Sequence, residues 1–371
     1  MAGELGIAPR GVRFNVSHPA PQDLAVYRSL VFPLLRQFDP ERTHDVAARA
    51  LSAAQALGPG RALLRLIAGQ IPFRPVKFCG LEFPNPIGVA AGFDKEVRVA
   101  GGLGELGFGH VEVGTLTPRP QPGNPKPRVF RLPAHQAVIN RMGFPNPGVE
   151  AVMPRLEALA ALPDRRFRLG VSLGKQKETA LAEAAGDYIA VMRRTWHTAD
   201  YLAVNISSPN TPGLRELQGG RYLGELLRAL REENDALSRR NASRSRPPLL
   251  VKIAPDLSEA ELDEILESTL DARIDGMIAT NTTLSREGIT DQKGKETGGL
   301  SGKPLTERST AMIARIHRLT EGKLPLVAVG GVFTADDVRA KLDAGAGLVQ
   351  VYTGLIYEGP GMAGRLLRGL G

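Results

Sequence analysis

The sequence predicts an α/β fold, a (β/α)8 TIM barrel with a small N-terminal helical extension. Three observations predict it. Eight short apolar, β-branched runs follow one another between residues 87 and 353. Amphipathic helical stretches separate most of them, which is the alternation of a parallel sheet. Polar residues gather at the C-terminal ends of the runs, where a barrel places its chemistry. An open doubly wound sheet usually has fewer strands and begins with a GxGxxG turn. The first run here ends in Ala91-Gly92-Phe93-Asp94-Lys95 instead. The length, 371 residues with 42% hydrophobic content, suits one barrel plus an extension.

Residues 1–20 mix Gly, Pro, Ser and Arg without periodicity and predict a mobile tail. Residues 21–70 form a helical module. Leu24, Tyr27, Leu30, Val31, Leu34, Leu35 and Phe38 recur at helical spacing, with a kink or break expected at Pro33. Asp39-Pro40 reads as an N-cap followed by proline at the first helical position. A second helix runs from there to Gly58-Pro59-Gly60, which is expected to end it; the short apolar piece Leu63–Ile67 follows. The barrel domain occupies residues 71–371. It opens with a hairpin around Phe78–Phe83. The eight strands are expected at Ile87–Ala91, His110–Thr117, Leu169–Leu173, Tyr201–Ser207, Leu249–Ala254, Gly276–Thr282, Leu326–Gly330 and Leu348–Thr353. Helices are expected over 150–161, 177–198, 219–239, 258–271, 305–319 and 335–344.

One cysteine, Cys79, leaves no internal disulfide and no multi-cysteine metal site, and no metal is expected. The net charge of +8, from 47 basic and 39 acidic residues, is dispersed. It fits an anionic substrate, a phosphate-bearing cofactor or an anionic membrane surface. Nucleic acid is not expected, since no Lys/Arg stripe is interleaved with aromatics. No stretch approaches the roughly 18 apolar residues of a membrane span. The first 20 residues lack the apolar core of a signal peptide, so the chain is expected neither to be exported nor to cross a bilayer, though it could lie on one.

The loop Asn205–Arg215 crowds two asparagines, two serines and two prolines after the fourth strand. On its own such a loop is more often a capped turn than a ligand site. Asn140-Arg141-Met142-Gly143-Phe144 offers amide and guanidinium donors for a planar anionic ligand; its plain alternative is a glycine loop with an exposed arginine. Lys95 and Lys252 end strands one and five, and two lysines converging on a barrel axis need an anion between them. Gly330-Gly331 and Tyr352-Thr353-Gly354 end strands seven and eight, where barrels often build a phosphate site. Gly298–Gly302 reads as a glycine-rich loop. Trp196 and His197 read as packing residues, and Cys79 as a hairpin residue without a catalytic role.

These residues belong to motifs that occur in order: AAGFDK (90–95), GFGHVEVGTLTPRPQPGNPKPRVFRL (107–132), NRMGF (140–144), NISSPNTPGLR (205–215), VKIAPDLS (251–258), DGMIATNTT (275–283), TGGLSGKPL (297–305) and VGG (329–331). Over residues 25–370 the chain resembles the class 2, quinone-dependent dihydroorotate dehydrogenases. The resemblance implies oxidation of (S)-dihydroorotate to orotate with FMN, in pyrimidine biosynthesis, with electrons passing to ubiquinone or menaquinone. It makes Ser208 the base for the C5 proton, while the C6 hydride passes to the flavin. Lys95, Asn140, Arg141, Met142, Gly143, Phe144, Asn205, Asn210, Asn281 and Thr282 would bind substrate. FMN would be held by Ala91, Gly92, Phe93, Asp94, Lys95, Thr115, Ser172, Asn205, Lys252, Thr280, Gly302, Gly331, Tyr352 and Thr353. The lysines would face the flavin region that gains negative charge on reduction.

His44 and Arg131 match the polar residues that the family places at its quinone tunnel, and residues 21–70 match its membrane-docking extension. That extension, and the absence of a cysteine near strand four, point to class 2, because class 1 enzymes use cysteine as the base. The implied location is peripheral, on the cytoplasmic face of the cell membrane if the source is bacterial. Two positions depart from the family pattern: Ser172 and Gln176 stand where it has asparagines, the first of which contacts FMN. The competing readings are a soluble FMN barrel using fumarate or a nicotinamide, a non-catalytic membrane-docked module, and a barrel binding a sugar phosphate.

Overall fold

The computed structural model describes residues 26–210, 213–218 and 220–371; the expected tail at 1–20 lies outside them. The N-terminal module begins with one π-helical turn, Tyr27–Val31, continued by α1 (Phe32–Leu35), whose first turn contains Pro33. The chain then bends through Phe38. α2 (Pro40–Ala56) starts as the sequence predicts: the Asp39 carboxylate accepts the Arg42 N–H at 2.9 Å, and Pro40 occupies the first turn. Gly58-Pro59-Gly60 does more than end that helix. It opens α3 (Gly58–Ala68), because proline in a first turn forgoes only an N–H that has no intrahelical partner. The apolar piece at Leu63–Ile67 is the body of α3, with Leu64 and Ala68 buried.

β1 (Val76–Phe78) and β2 (Leu81–Phe83) form the expected antiparallel hairpin. Phe78 and Phe83 pack into the apolar cluster that fills the barrel axis, and so plug its N-terminal end. The barrel closes through eight parallel strands: β3 (Ile87–Asp94), β4 (His110–Leu116), β7 (Arg168–Leu173), β8 (Tyr201–Asn205), β9 (Leu249–Ile253), β10 (Gly276–Ala279), β12 (Leu326–Val329) and β13 (Leu348–Val351). The last pairs with the first, Val349 opposite Ile87. These strands are apolar nearly throughout because both faces are covered.

Most helices lie where periodicity places them: α5 (Val149–Ala160), α6 (Ala184–Thr195), α7 (Gly220–Arg240), α8 (Glu259–Asp271), α9 (Thr306–Leu319) and α10 (Ala335–Asp343), with α8 and α10 opened by capping boxes at Ser258–Glu261 and Thr334–Asp337. Periodicity does not reveal α4 (Ala100–Glu105), which is too short and glycine-rich, nor α11 (Thr353–Glu358) and α12 (Met362–Gly369) at the C-terminus.

Periodicity places no strand between residues 118 and 149, and 298–302 reads as a glycine-rich loop. Instead, β5 (Val129–Leu132), β6 (Ala137–Asn140) and β11 (Gly299–Gly302) pair into a separate antiparallel sheet. It reaches the barrel rim through the Thr283–Leu300 bridge. Glycine suits β11 because that strand lies close against its neighbours: a Cβ on Gly299 would meet the Thr282 side chain.

The helical module is anchored to the barrel. Gln55 accepts from the Gly102 N–H and donates to the Arg98 carbonyl, both at 2.5 Å, and Arg65 pairs with Glu105. Its outward side is apolar, with Leu30, Leu34, Phe38, Leu57, Leu63 and Leu66 exposed.

Candidate active site

At the C-terminal mouth of the barrel the strand ends surround a cavity that opens to solvent. Most of the predicted site residues line it. Strand one supplies Ala91, Gly92 and Lys95, and strand two Thr115. The loop after strand four supplies Asn205, Ser208 and Asn210. Strand five gives Lys252, and strand six Thr280, Asn281 and Thr282. Gly331, Tyr352 and Thr353 come from strands seven and eight. The antiparallel sheet and the turn beyond it bring Asn140, Met142, Gly143, Phe144 and Gly302 from the side.

The loop after strand four is fixed from within. Asn205 Nδ2 donates to Thr115 Oγ1 at 3.0 Å, and its Oδ1 accepts from the Ser207 N–H and hydroxyl. Asn281 Nδ2 donates to Ser207 Oγ at 3.0 Å, tying strand six to strand four. Asn210 Nδ2 donates to Asn140 Oδ1 at 3.3 Å, which joins the loop to the lateral sheet. Ser208 is 5% exposed, and its Oγ accepts the Asn210 N–H at 3.3 Å. Thr282 Oγ1 and Gln350 Oε1 are buried without a hydrogen-bond partner in the protein, and both residues line the cavity. Such atoms are costly unless a ligand satisfies them.

Four of the residues predicted for substrate or FMN lie outside the cavity lining. Arg141 follows Asn140 directly, and successive side chains of an extended chain point opposite ways. Its guanidinium meets Glu296 at 2.6 Å, donates to the Pro127 carbonyl and lies over the Phe130 ring. Asp94 is buried as a turn cap that accepts the N–H groups of Arg98 and Val99, both at 2.8 Å; burial raises its pKa. Phe93 packs between the rings of His44 and Tyr352, 5.1 and 5.6 Å away. Ser172 lies one layer deeper, fully buried, with its Oγ 2.9 Å from Thr115 Oγ1.

His44 and Arg131 both hold the helical module in place, His44 against barrel strand β3 and Arg131 from the lateral sheet. Burial, then the nearby Lys95 charge, push the His44 imidazole down to about 4. Arg131 donates to the Leu35 and Phe38 carbonyls at 3.2 and 2.9 Å, closing the end of α1.

Sequence reasoning missed the anion beneath Lys252. Glu112 is fully buried inside the barrel, with Oε1 3.6 Å from Lys252 Nζ. Its Oε2 accepts from Gln350 Nε2 at 2.9 Å and from the Tyr201 hydroxyl at 3.3 Å. A lone carboxylate inside an apolar strand was the available signal. Also missed were Arg215, which joins the Ser207 carbonyl, Asp256 and the Thr282 carbonyl, and Asn124, which donates to the carbonyls of Arg141 and Asn210. Lys95 has no ion-pair partner among the described residues, so a cation faces the cavity open to an anionic ligand.

A parallel eight-stranded barrel with lysines, amides and glycine turns around its C-terminal mouth defines a barrel enzyme with its active site at that end. The comparisons narrow this. The family model described as dihydroorotate dehydrogenase matches residues 74–371. The chain is 49% identical to the dihydroorotate dehydrogenase (quinone) of Synechococcus sp. (strain JA-2-3B'a(2-13)), over 93% of each chain. It is also 49% identical to that of Acidithiobacillus ferrooxidans, covering 92% of this chain and 93% of that one. Among solved structures, DHODH from Eimeria tenella in complex with ferulenol superposes with a TM-score of 0.81 at 38% identity, covering 92% of this chain and 93% of that one. The chain belongs to the dihydroorotate dehydrogenase family, and that family is flavin-dependent.

Proposed function

We propose that this chain oxidises (S)-dihydroorotate to orotate with FMN at the mouth of the barrel, delivers the electrons to a membrane quinone, and so serves pyrimidine biosynthesis. The observation that carries the reading is the placement of Ser208, four asparagines (140, 205, 210 and 281) and two lysines around one cavity.

The residues present fit FMN. Lys252, Thr280, Asn205 and Thr115 offer charge and hydrogen bonds to a polar heterocycle, and the glycine turns at the ends of strands seven and eight suit a phosphate. Two buried polar atoms at the cavity wall are left for a ligand. Bound there, FMN supplies the hydride acceptor. The amides of Asn140, Asn210 and Asn281, with Thr282, offer the donors and acceptors that a dihydropyrimidine ring requires, and Lys95 offers charge to its carboxylate. Ser208 Oγ takes the C5 proton. A neutral serine is a weak base, so its own hydroxyl proton must pass to water at the open side of the cavity as the new one arrives.

His44, Phe93 and Tyr352 form a contiguous series of rings from the helical module to the cavity, which supports quinone reduction on that side. The exposed leucines of the module support a peripheral seat on a membrane surface, and the net positive charge suits anionic lipid. No helix among the described residues is long and apolar enough to cross a bilayer. In a bacterium this seat would be the cytoplasmic face of the cell membrane.

Anaerobic mixing with dihydroorotate, followed at the flavin absorbance, tests the first half-reaction. Bleaching followed by recovery with a quinone analogue, and none with fumarate or NAD, is the expected result. A flavin that dihydroorotate leaves oxidised would remove the assignment.

A further inference from the structure

Behind the glycine turn of strand seven lies a buried cation. Lys341, on α10, is 0% exposed. Its Nζ donates to Ser309 Oγ at 2.5 Å, to Thr310 Oγ1 at 3.0 Å and to the Thr306 carbonyl at 3.5 Å, all in the first turns of α9. No carboxylate lies within ion-pair distance of it among the described residues. Asp337 is near enough to act through space, but its Oδ2 accepts the Phe333 and Thr334 N–H groups. A buried ammonium without a counter-charge is expensive, and burial pulls this one down to about 8.

Ser309 and Thr306, which Lys341 reaches at the serine hydroxyl and the threonine carbonyl, in turn bind the glycine turn. Ser309 Oγ donates to the Gly330 carbonyl at 2.9 Å, and Thr306 Oγ1 donates to the Gly331 carbonyl at 2.7 Å. Both glycines line the cavity with φ of 122° and 69°, the region that favours glycine. A donor on each carbonyl fixes the plane of the peptide that follows, and therefore the direction of the next N–H.

We propose that Lys341 is a positioning residue for the cofactor phosphate. It locks the Gly330–Gly331 peptides through Ser309 and Thr306, and it supplies from behind the turn the positive charge that a phosphate dianion in front of it balances. The proposal rests on the reading that this cavity binds FMN.

The test compares two flavins that differ only in the phosphate. The flavin is stripped from the holoenzyme, and FMN and riboflavin are bound back separately, each followed by quenching of flavin fluorescence. The preference of the wild type for FMN over riboflavin should shrink at least about tenfold in Lys341→Met, with riboflavin affinity unchanged, as for a lost charge-assisted interaction. Equal weakening of both flavins, or an unchanged preference, overturns the proposal, since a lysine that only supports packing would not discriminate between them. Ser309→Ala keeps the ammonium and cuts its link to Gly330. It should shrink the preference in the same sense, and it carries the test if the methionine variant does not fold; an unchanged preference there also overturns the proposal. Wild-type protein that takes up neither flavin instead overturns the FMN reading beneath it.

Discussion

Ser208 combines a poor base with a well-held position. Its Oγ receives one backbone N–H, and the asparagines around it are tied across the site, Asn210 to Asn140, Asn281 to Ser207 and Asn205 to Thr115. Ser208→Ala should therefore leave the cavity and flavin binding intact while slowing flavin reduction by orders of magnitude, read in anaerobic stopped-flow; bleaching at the wild-type rate would take the proton from some other group. Ser172 acts one layer below the cavity wall. Its hydroxyl reaches Thr115 Oγ1, which also receives Asn205 Nδ2 and itself lines the cavity. The serine thus supports a cavity residue from below. Ser208 and the asparagines are legible in the sequence because they crowd a single loop. Glu112 and Lys341 are harder to read, since the meaning of a buried charge depends on its partners, and those lie on other strands and helices.

Among the elements, the turn at the end of strand seven has little room. A Cβ on Gly331 would come within 2.4 Å of the Thr306 backbone, which cannot move without shifting the start of α9. Gly331→Ala should fold less stably and lose FMN on dilution, visible as rising free-flavin fluorescence; tight retention of the flavin would show that the turn has slack.

The α2 helix carries a pH-sensitive contact. The folded pKa of His44, about 4, lies below its ordinary 6.5, so the folded state binds the proton less readily than the unfolded one. The stability that follows is complete above pH 6.5 and is lost as pH falls from there through 4. Denaturant midpoints measured across that window should drop toward acid, and His44→Gln should flatten the drop. An equally steep fall in the variant would assign it to other groups. The N-cap at Asp39 was legible because capping is a local signal. The lateral sheet was not: β5, β6 and β11 are four residues each, and the third joins from far along the chain.

On the scale of the whole molecule, a charged, capped barrel carries an apolar helical face. Leu34 and Leu66 are 58% and 74% exposed on that face. Replacing both with aspartate should leave dihydroorotate-driven flavin bleaching unchanged. It should weaken flotation with anionic vesicles and turnover of a long-chain quinone embedded in them; undiminished flotation would place the membrane contact elsewhere. The sequence by itself determined the order of the eight barrel strands and of most helices between them, the barrel, and the end at which its polar residues gather. Those follow from local periodicity and from the rule that strand C-termini face the active site. Only the tertiary structure decided that Arg141 and Asp94 hold the framework, that Glu112 balances Lys252 from inside the barrel, and that Lys341 sits behind the glycine turn. The physical reason is that a buried charge is tolerated only through neighbours brought together by tertiary packing: residues 112 and 252 meet only when the barrel has closed, and 309 and 341 only when α9 and α10 pack together.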